Sequence, residues 1–317
     1  MSTDRKKVVF CGLDNGGKSS ILLLLNKRFS LLTSLKPTYQ ADITSQQLSS
    51  FLGFEISNWD LGGQEGYRKT YLENKERFFT DIRTMFYVID IQDPERFNEA
   101  VEYLQKVVNT VMELNPDYQE FFVLLHKVDP DIKNDKEIFK NLDIIQDKIN
   151  ALETEAKFSF YITSIHDDSS LIKPFSDGVI SVSRKAKLIQ TLLKEYTTKT
   201  FNSAAVLLDR HCFIIASRAT KVDYERICQE IAPRFSQAIE RLEDWEINPL
   251  DIVTNIEFPI SDSENNKEGI IFLRKLDING ERLYLIALCL NKKIKAMSYE
   301  YLPLLAKNLK NLLETYK

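Results

Sequence analysis

Cysteine is scarce in this chain. The four present in 317 residues, Cys11, Cys212, Cys228 and Cys289, stand singly inside apolar segments, without metal-ligand or disulfide-framework spacing. They are expected as small core residues in a reducing cytosol. Excess positive charge is lacking too: 42 lysines and arginines face 46 aspartates and glutamates, a net charge of −4. Nucleic-acid binding needs a basic footprint, so nucleic acid is not an expected partner. Long apolar runs are missing as well. A membrane span takes ~20 consecutive apolar residues, whereas Leu283 to Leu290, among the longest runs here, has the length of a strand. Met1 to Arg5 shows no secretory run and no glycine to myristoylate, and the last residues offer no prenylatable cysteine. No direct membrane anchor is therefore expected, and any membrane association should go through a partner.

With 44% hydrophobic and 28% charged residues, the chain can build proper cores. Its length suggests two domains. From Lys7 onward, apolar runs of strand length (Val8 to Cys11, Phe54 to Trp59, Thr84 to Ile91, Phe121 to His126, Phe158 to Ser164) alternate with amphipathic stretches (Ile21 to Phe29, Phe97 to Leu114, Ile138 to Leu152, Leu171 to Val182). That alternation predicts an α/β, doubly wound, mostly parallel sheet whose ligand site lies beyond the C-terminal strand ends. Ile43 to Phe51 and Phe54 to Trp59, with Gly53 between, predict a hairpin and hence one antiparallel edge strand. After Val182 the order becomes helix, hairpin, helix, three strands, helix, a small α+β domain. Tyr224, Ile227, Ile231, Phe235, Ile239 and Leu242 mark its middle helix, and Asn279-Gly280 predicts a tight hairpin. The polar segment Ser261 to Lys267 is expected as a surface loop. The domains are thus expected at 1–182 and 183–317.

Gly12-Leu13-Asp14-Asn15-Gly16-Gly17-Lys18-Ser19 fits a phosphate loop, and it follows a predicted strand and opens a predicted helix, the context this motif requires. Amides of Asp14 through Ser20 would surround phosphates, aided by the helix dipole. Lys18 would reach the β- and γ-oxygens, and the Ser19 hydroxyl would ligate Mg²⁺. Trp59-Asp60-Leu61-Gly62-Gly63-Gln64 closes the third strand. There Asp60 would hold Mg²⁺ through a water, Gly63 would offer its amide to a γ-phosphate, and Gln64 would orient the attacking water. Thr38, preceded by Pro37 in the segment before the hairpin, would complete the Mg²⁺ shell and close over the nucleotide; Thr33 and Thr44 compete for that role.

His126-Lys127-Val128-Asp129 ends one predicted strand and Thr163-Ser164-Ile165 another, both on the side of the phosphate loop. Asp129 could accept from guanine N1 and N2 together, Lys127 could lie over the base, and the Ser164–Ile165 amides could meet the guanine oxygen. Residues 7 to about 182 resemble a Ras-superfamily GTPase: the phosphate loop and Trp59-Asp60 with Gly62-Gly63-Gln64 are Arf-like, while His126-Lys127-Val128-Asp129, with His for the usual Asn, and Thr163-Ser164-Ile165 are similar to Rag/Gtr proteins. The usual asparagine ties the base loop to the phosphate loop, and the sequence leaves open whether His126 does so. The resemblance implies a P-loop GTPase domain followed by a roadblock-like domain that forms homo- or heterodimers, with GTP/GDP and Mg²⁺ as ligands and with other roadblock, activating and exchange proteins as partners. The expectation is a switch that hydrolyses GTP slowly. A nucleotide-binding scaffold with little turnover is the alternative, and an ATP-using phosphoryl-transfer enzyme is disfavoured by Asp129 and the Gly62-Gly63-Gln64 loop. No arginine is evidently poised in cis in the sequence, so a partner is expected to supply one or to act on Gln64.

Overall fold

The computed structural model of the chain describes residues 5–29, 41–46, 55–180, 184–210, 212–260, 263–278, 280–291 and 295–315. The chain divides into two compact units, the first ending at Gly178 and the second running from Val179 to Lys317.

The first unit alternates strand and helix: β1 (Arg5–Gly12), α1 (Lys18–Phe29), β2 (Ala41–Gln46), β3 (Glu55–Leu61), α2 (Glu65–Glu73), α3 (Lys75–Phe79), β4 (Ile82–Asp90), α4 (Phe97–Leu114), β5 (Glu120–His126), α5 (Lys136–Asn150), β6 (Lys157–Thr163) and α6 (Asp168–Ile180). The six strands lie in the order β2-β3-β1-β4-β5-β6. All neighbours are parallel except β2, which runs antiparallel to β3 from Ala41 opposite Leu61 to Gln46 opposite Ile56. The central strands have no polar face because helices cover both sides: Val8, Val9, Phe10 and Cys11 of β1 are all buried. One side is filled by Leu104, Val107 and Val111 of α4 and Ile138, Leu142 and Ile145 of α5. On the other, Phe86 stacks between Phe10 and Phe175 of α6.

Sequence reading did not predict α2 and α3, which lie in the charged stretch after Gln64. Helices this short are marginal on their own, and packing holds them here: Tyr71, Phe78 and Phe79 are buried in the sheet's core.

The second unit consists of α7 (Arg184–Thr200), β7 (Ala204–Asp209), β8 (Ile214–Ala219), α8 (Val222–Glu243), β9 (Asp251–Ile260), β10 (Ser263–Ile278), β11 (Glu281–Cys289) and α9 (Lys295–Thr315). Its antiparallel sheet has the order β8-β7-β11-β10-β9. Alternating residues of β7, β10 and β11 are apolar on both faces, so both faces are covered. Cys228, Ala232 and Ile239 of α8 pack on Val206, Ile271, Leu273, Ile286 and Leu288. Across the sheet, Phe272 meets the Tyr299 ring of α9, while Tyr196 of α7 donates its hydroxyl to Ser298 O at 3.2 Å. The turn at Gly280 has φ +81, the left-handed backbone that glycine tolerates and that lets Ile278 pair with Glu281; Asn279 lies outside the described residues. Ser263 to Lys267, expected as part of a loop, is instead the start of β10, pairing with β9 at Ser263–Ile260 and Lys267–Phe258. Ladder pairing with an adjacent strand outweighs a polar composition there.

Candidate functional site

The site is assembled where strand C-termini meet helix N-termini in the first unit. The chain leaves β1 through Gly12, at φ +141, where a Cβ would lie 2.3 Å from Val88 O on β4, so only glycine lets the loop start this close to the sheet. Asn15 at φ 57 and Gly17 at φ 92 turn the loop back into α1. Such a run of turned amides forms a concavity suited to anions. Lys18 is buried, and its Nζ donates to Leu13 O at 2.6 Å and Gly12 O at 3.3 Å. Burial pushes its ammonium pKa down, and the Asp60 charge pushes back. Ser20 follows on α1, half-buried.

Asp60, at the end of β3, is buried, and its Oδ2 accepts from Ser19 Oγ at 2.5 Å. A hydroxyl and a carboxylate side by side at the mouth of a phosphate loop are hard oxygen donors of the kind Mg²⁺ takes, usually alongside waters and phosphate oxygens rather than in an all-protein cage. Among the described residues no group of three or more His, Cys, Asp or Glu could hold a metal ion by itself. Ser19 would ligate directly and Asp60 through a water. Thr38, the other expected ligand, lies outside the described residues.

Beyond Asp60, the Gly62 amide donates to Tyr71 Oη at 3.0 Å. Gly63 packs so tightly on the phosphate loop that a Cβ would fall 2.0 Å from Asp14 N and 2.1 Å from Leu13 C. Gln64 is the N-cap of α2; it is exposed, and its side chain makes no capping bond. The candidate hydrolytic glutamine therefore sits one residue from a glycine wedged against the loop.

At the far side, β5 ends in His126, opposite Asp90 in the sheet and buried to 1% exposure. Its Nδ1 lies 3.0 Å from Thr163 Oγ1, and its ring abuts Gly17, where a Cβ would meet His126 Cδ2 at 2.6 Å. His126 thus joins the loop after β5 to the phosphate loop, by ring packing on Gly17. Desolvation lowers its pKa to about 4, with Lys127 adding to the effect while Asp90 and Asp129 oppose it. Lys127 bonds Asp90 Oδ2 at 2.6 Å, and its carbonyl accepts from Gln92 Nε2 at 2.7 Å. Asp129 accepts from Ser164 Oγ at 2.5 Å, and the Ser164 amide donates to Ser170 Oγ at 3.0 Å. Ile165 follows, exposed. The structure therefore brings Asp129, Lys127, Ser164 and Ile165 to the same C-terminal side of the parallel strands as the loop residues that follow β1 and β3.

Two arginines near the phosphate loop, paired with carboxylates, were not named by sequence reading. Arg96, in the turn between β4 and α4, donates from Nη2 to Asp14 Oδ1 at 2.7 Å and from Nε to Glu99 Oε2 at 2.9 Å. Arg68 of α2 pairs with the other oxygen of Glu99 and lies over the Tyr103 ring at 5.1 Å. The available signal was the turn Asp93-Pro94-Glu95-Arg96, which follows β4 on the phosphate-loop side of the sheet.

The sheet order with one antiparallel edge, the loop between β1 and α1 and the Ser19–Asp60 pair define a P-loop protein with the G-protein fold. A family model described as the Gtr1/RagA G protein conserved region matches residues 7–238, and the chain belongs to that family. Ras-related GTP-binding protein C of Homo sapiens is 31% identical over 242 residues, 72% of this chain and 58% of that protein. GTP-binding protein GTR1 of Saccharomyces cerevisiae is 27% identical over 221 residues, 68% of this chain and 69% of that protein. The matched part of the chain thus spans less than two thirds of the human relative's length. Among solved structures, the Arl6 BBS3 small GTPase of Trypanosoma brucei is similar at 18% identity and a TM-score of 0.45, covering 57% of this chain and 98% of that one.

Proposed function

We propose that the chain is a guanine-nucleotide switch that binds GTP and GDP with Mg²⁺ and hydrolyses GTP slowly. The observation that carries this reading is the meeting of Ser19 Oγ and Asp60 Oδ2 at 2.5 Å beside the buried Lys18, with Asp129 and Ser164 following β5 and β6 on that same C-terminal side of the sheet. Bound Mg²⁺ would neutralise phosphate charge, held by Ser19 and, through water, by Asp60. Lys18 would exchange its two carbonyl partners for phosphate oxygens. Gly63 would offer its amide at the γ side, and Gln64 would orient water there. Asp129 would select guanine by accepting two hydrogen bonds that adenine cannot donate.

A roadblock-type reading of residues 183–317, pairing with a like domain as a homo- or heterodimer, is supported by the order of elements and by apolar side chains that stay exposed. Activating and exchange proteins would act on the loops around Gln64. Gln64→Leu is expected to keep GTP and GDP affinity while slowing single-turnover hydrolysis about tenfold or more, since the side chain acts on water in the transition state and not on the ground-state phosphates. Unchanged hydrolysis, alone and with an activating protein, would remove Gln64 from the mechanism.

A further inference from the structure

Four side chains of alternating charge run from the phosphate loop to α2. Asp14 takes Nη2 of Arg96 at 2.7 Å, and Arg96 Nη1 also reaches Asp14 O at 3.4 Å. The Nε of the same guanidinium donates to Glu99 at 2.9 Å, and Glu99 gives its second oxygen to Arg68. Arg68 lies one helical turn past Gln64 and is itself buried, against the Tyr103 face. Asp14 is also the residue whose amide Gly63 packs upon. Asp14 thus puts a carboxylate on the phosphate loop itself, where its charge would repel a triphosphate more than a diphosphate unless that charge is met. Burial alone would raise the Asp14 pKa, but the hydrogen bond and charge of Arg96 hold it below the usual carboxylate range, so the group stays anionic.

We propose that Arg96 is a positioning residue for the triphosphate: it draws the Asp14 carboxylate to the rim of the loop and, through Glu99 and Arg68, ties the placement of α2 and Gln64 to that loop. The inference rests on the nucleotide reading above. Arg96 touches no nucleotide in this account; it acts through Asp14 on one side and Glu99 on the other. A bidentate guanidinium satisfies both carboxylates at once, which a lysine cannot do in the same geometry.

The test uses the full chain and compares affinities for a fluorescent GDP and a non-hydrolysable fluorescent GTP analogue. Arg96→Ala should weaken the analogue about tenfold while GDP changes less than about threefold, because the released carboxylate acts on the larger negative charge of the triphosphate. Adding Asp14→Asn to Arg96→Ala should restore most of the loss. Glu99→Gln should spare binding but slow single-turnover hydrolysis, as α2 loses its tether. Arg96→Lys, with a thermal melt of every variant, keeps the test readable if the alanine variant folds poorly: partial loss of analogue affinity at wild-type melting temperature is expected. Equal weakening of both nucleotides, or no rescue by Asp14→Asn, would reduce Arg96 to a packing residue and overturn the proposal. If wild type binds guanine nucleotides and Arg96→Ala is unaltered, this inference fails alone; if wild type binds neither nucleotide, the function proposed above fails and takes this inference with it.

Discussion

His126 is neutral because it is buried between the Thr163 hydroxyl and Gly17, and its pKa of about 4 lies well below the ordinary 6.5. As pH falls, the unfolded chain takes up the proton first. The stability conferred by the neutral ring is therefore complete above about pH 6.5 and is lost between there and about pH 4, by roughly 3 kcal/mol in all. Urea unfolding of wild type and His126→Asn at pH 7 and pH 4.5 checks this: wild type should lose about 2 kcal/mol more than the variant, whose difference cancels the carboxylates common to both. Equal losses would mean that the ring is not buried neutral. At this scale the sequence was most informative where chemistry is contiguous. Lys18 and Ser19 are named by one motif, and Asp60 by its place at a strand end. The turn could have drawn attention to Arg96, but its contact with Asp14, 82 residues away, was not legible, since spacing within a motif carries no information about a contact made through a fold. His126 was identified by position, but its packing on Gly17 depends on how two strand ends are set side by side.

Among the elements, α6 shows how closely helix and sheet approach in the first unit. Gly178 lets the helix lie on β4, where its carbonyl accepts from Thr84 Oγ1 at 3.0 Å; a Cβ would meet Thr84 Cγ2 at 2.7 Å and the Phe86 ring at 2.8 Å. Alanine would gain about 1 kcal/mol in helix propensity and lose about 1–3 kcal/mol by overpacking. Gly178→Ala should therefore be net destabilising by about 1 kcal/mol in urea; a more stable variant would show that Thr84 and Phe86 yield without cost. Periodicity made α4 legible over its full length, since Phe97, Ala100, Leu104, Val107, Val108 and Val111 all face the core. α2 and α3 were not legible, because each buries too few residues for a period to emerge from charged surroundings: Arg68 and Tyr71 in the first, Phe78 and Phe79 in the second. The start of β10 was misread for the converse reason, being polar in sequence yet fixed by pairing with β9.

At the scale of the whole molecule, no helix among the described residues is long and apolar enough to cross a membrane. The second unit exposes Trp245, Ile247, Leu250 and Val253 along the passage from α8 into the edge strand β9, large apolar side chains of the kind a partner would cover. Residues 184–317 expressed alone are expected to fold and to sediment as a dimer at micromolar concentration, with Trp245→Glu shifting them to monomer. A folded monomer that captures no second roadblock-type domain would contradict the dimerisation reading. The central claim, a guanine-nucleotide site, is tested most directly by competition on the full chain with Mg²⁺ present, using wild type and Asp129→Asn. GDP and GTP should displace a bound fluorescent guanine nucleotide from wild type while ADP and ATP do not. Asp129→Asn should move the preference toward xanthine nucleotides, whose extra carbonyl accepts from the new amide. Displacement by adenine and guanine nucleotides alike, or a substitution that weakens guanine and xanthine equally, would contradict the account.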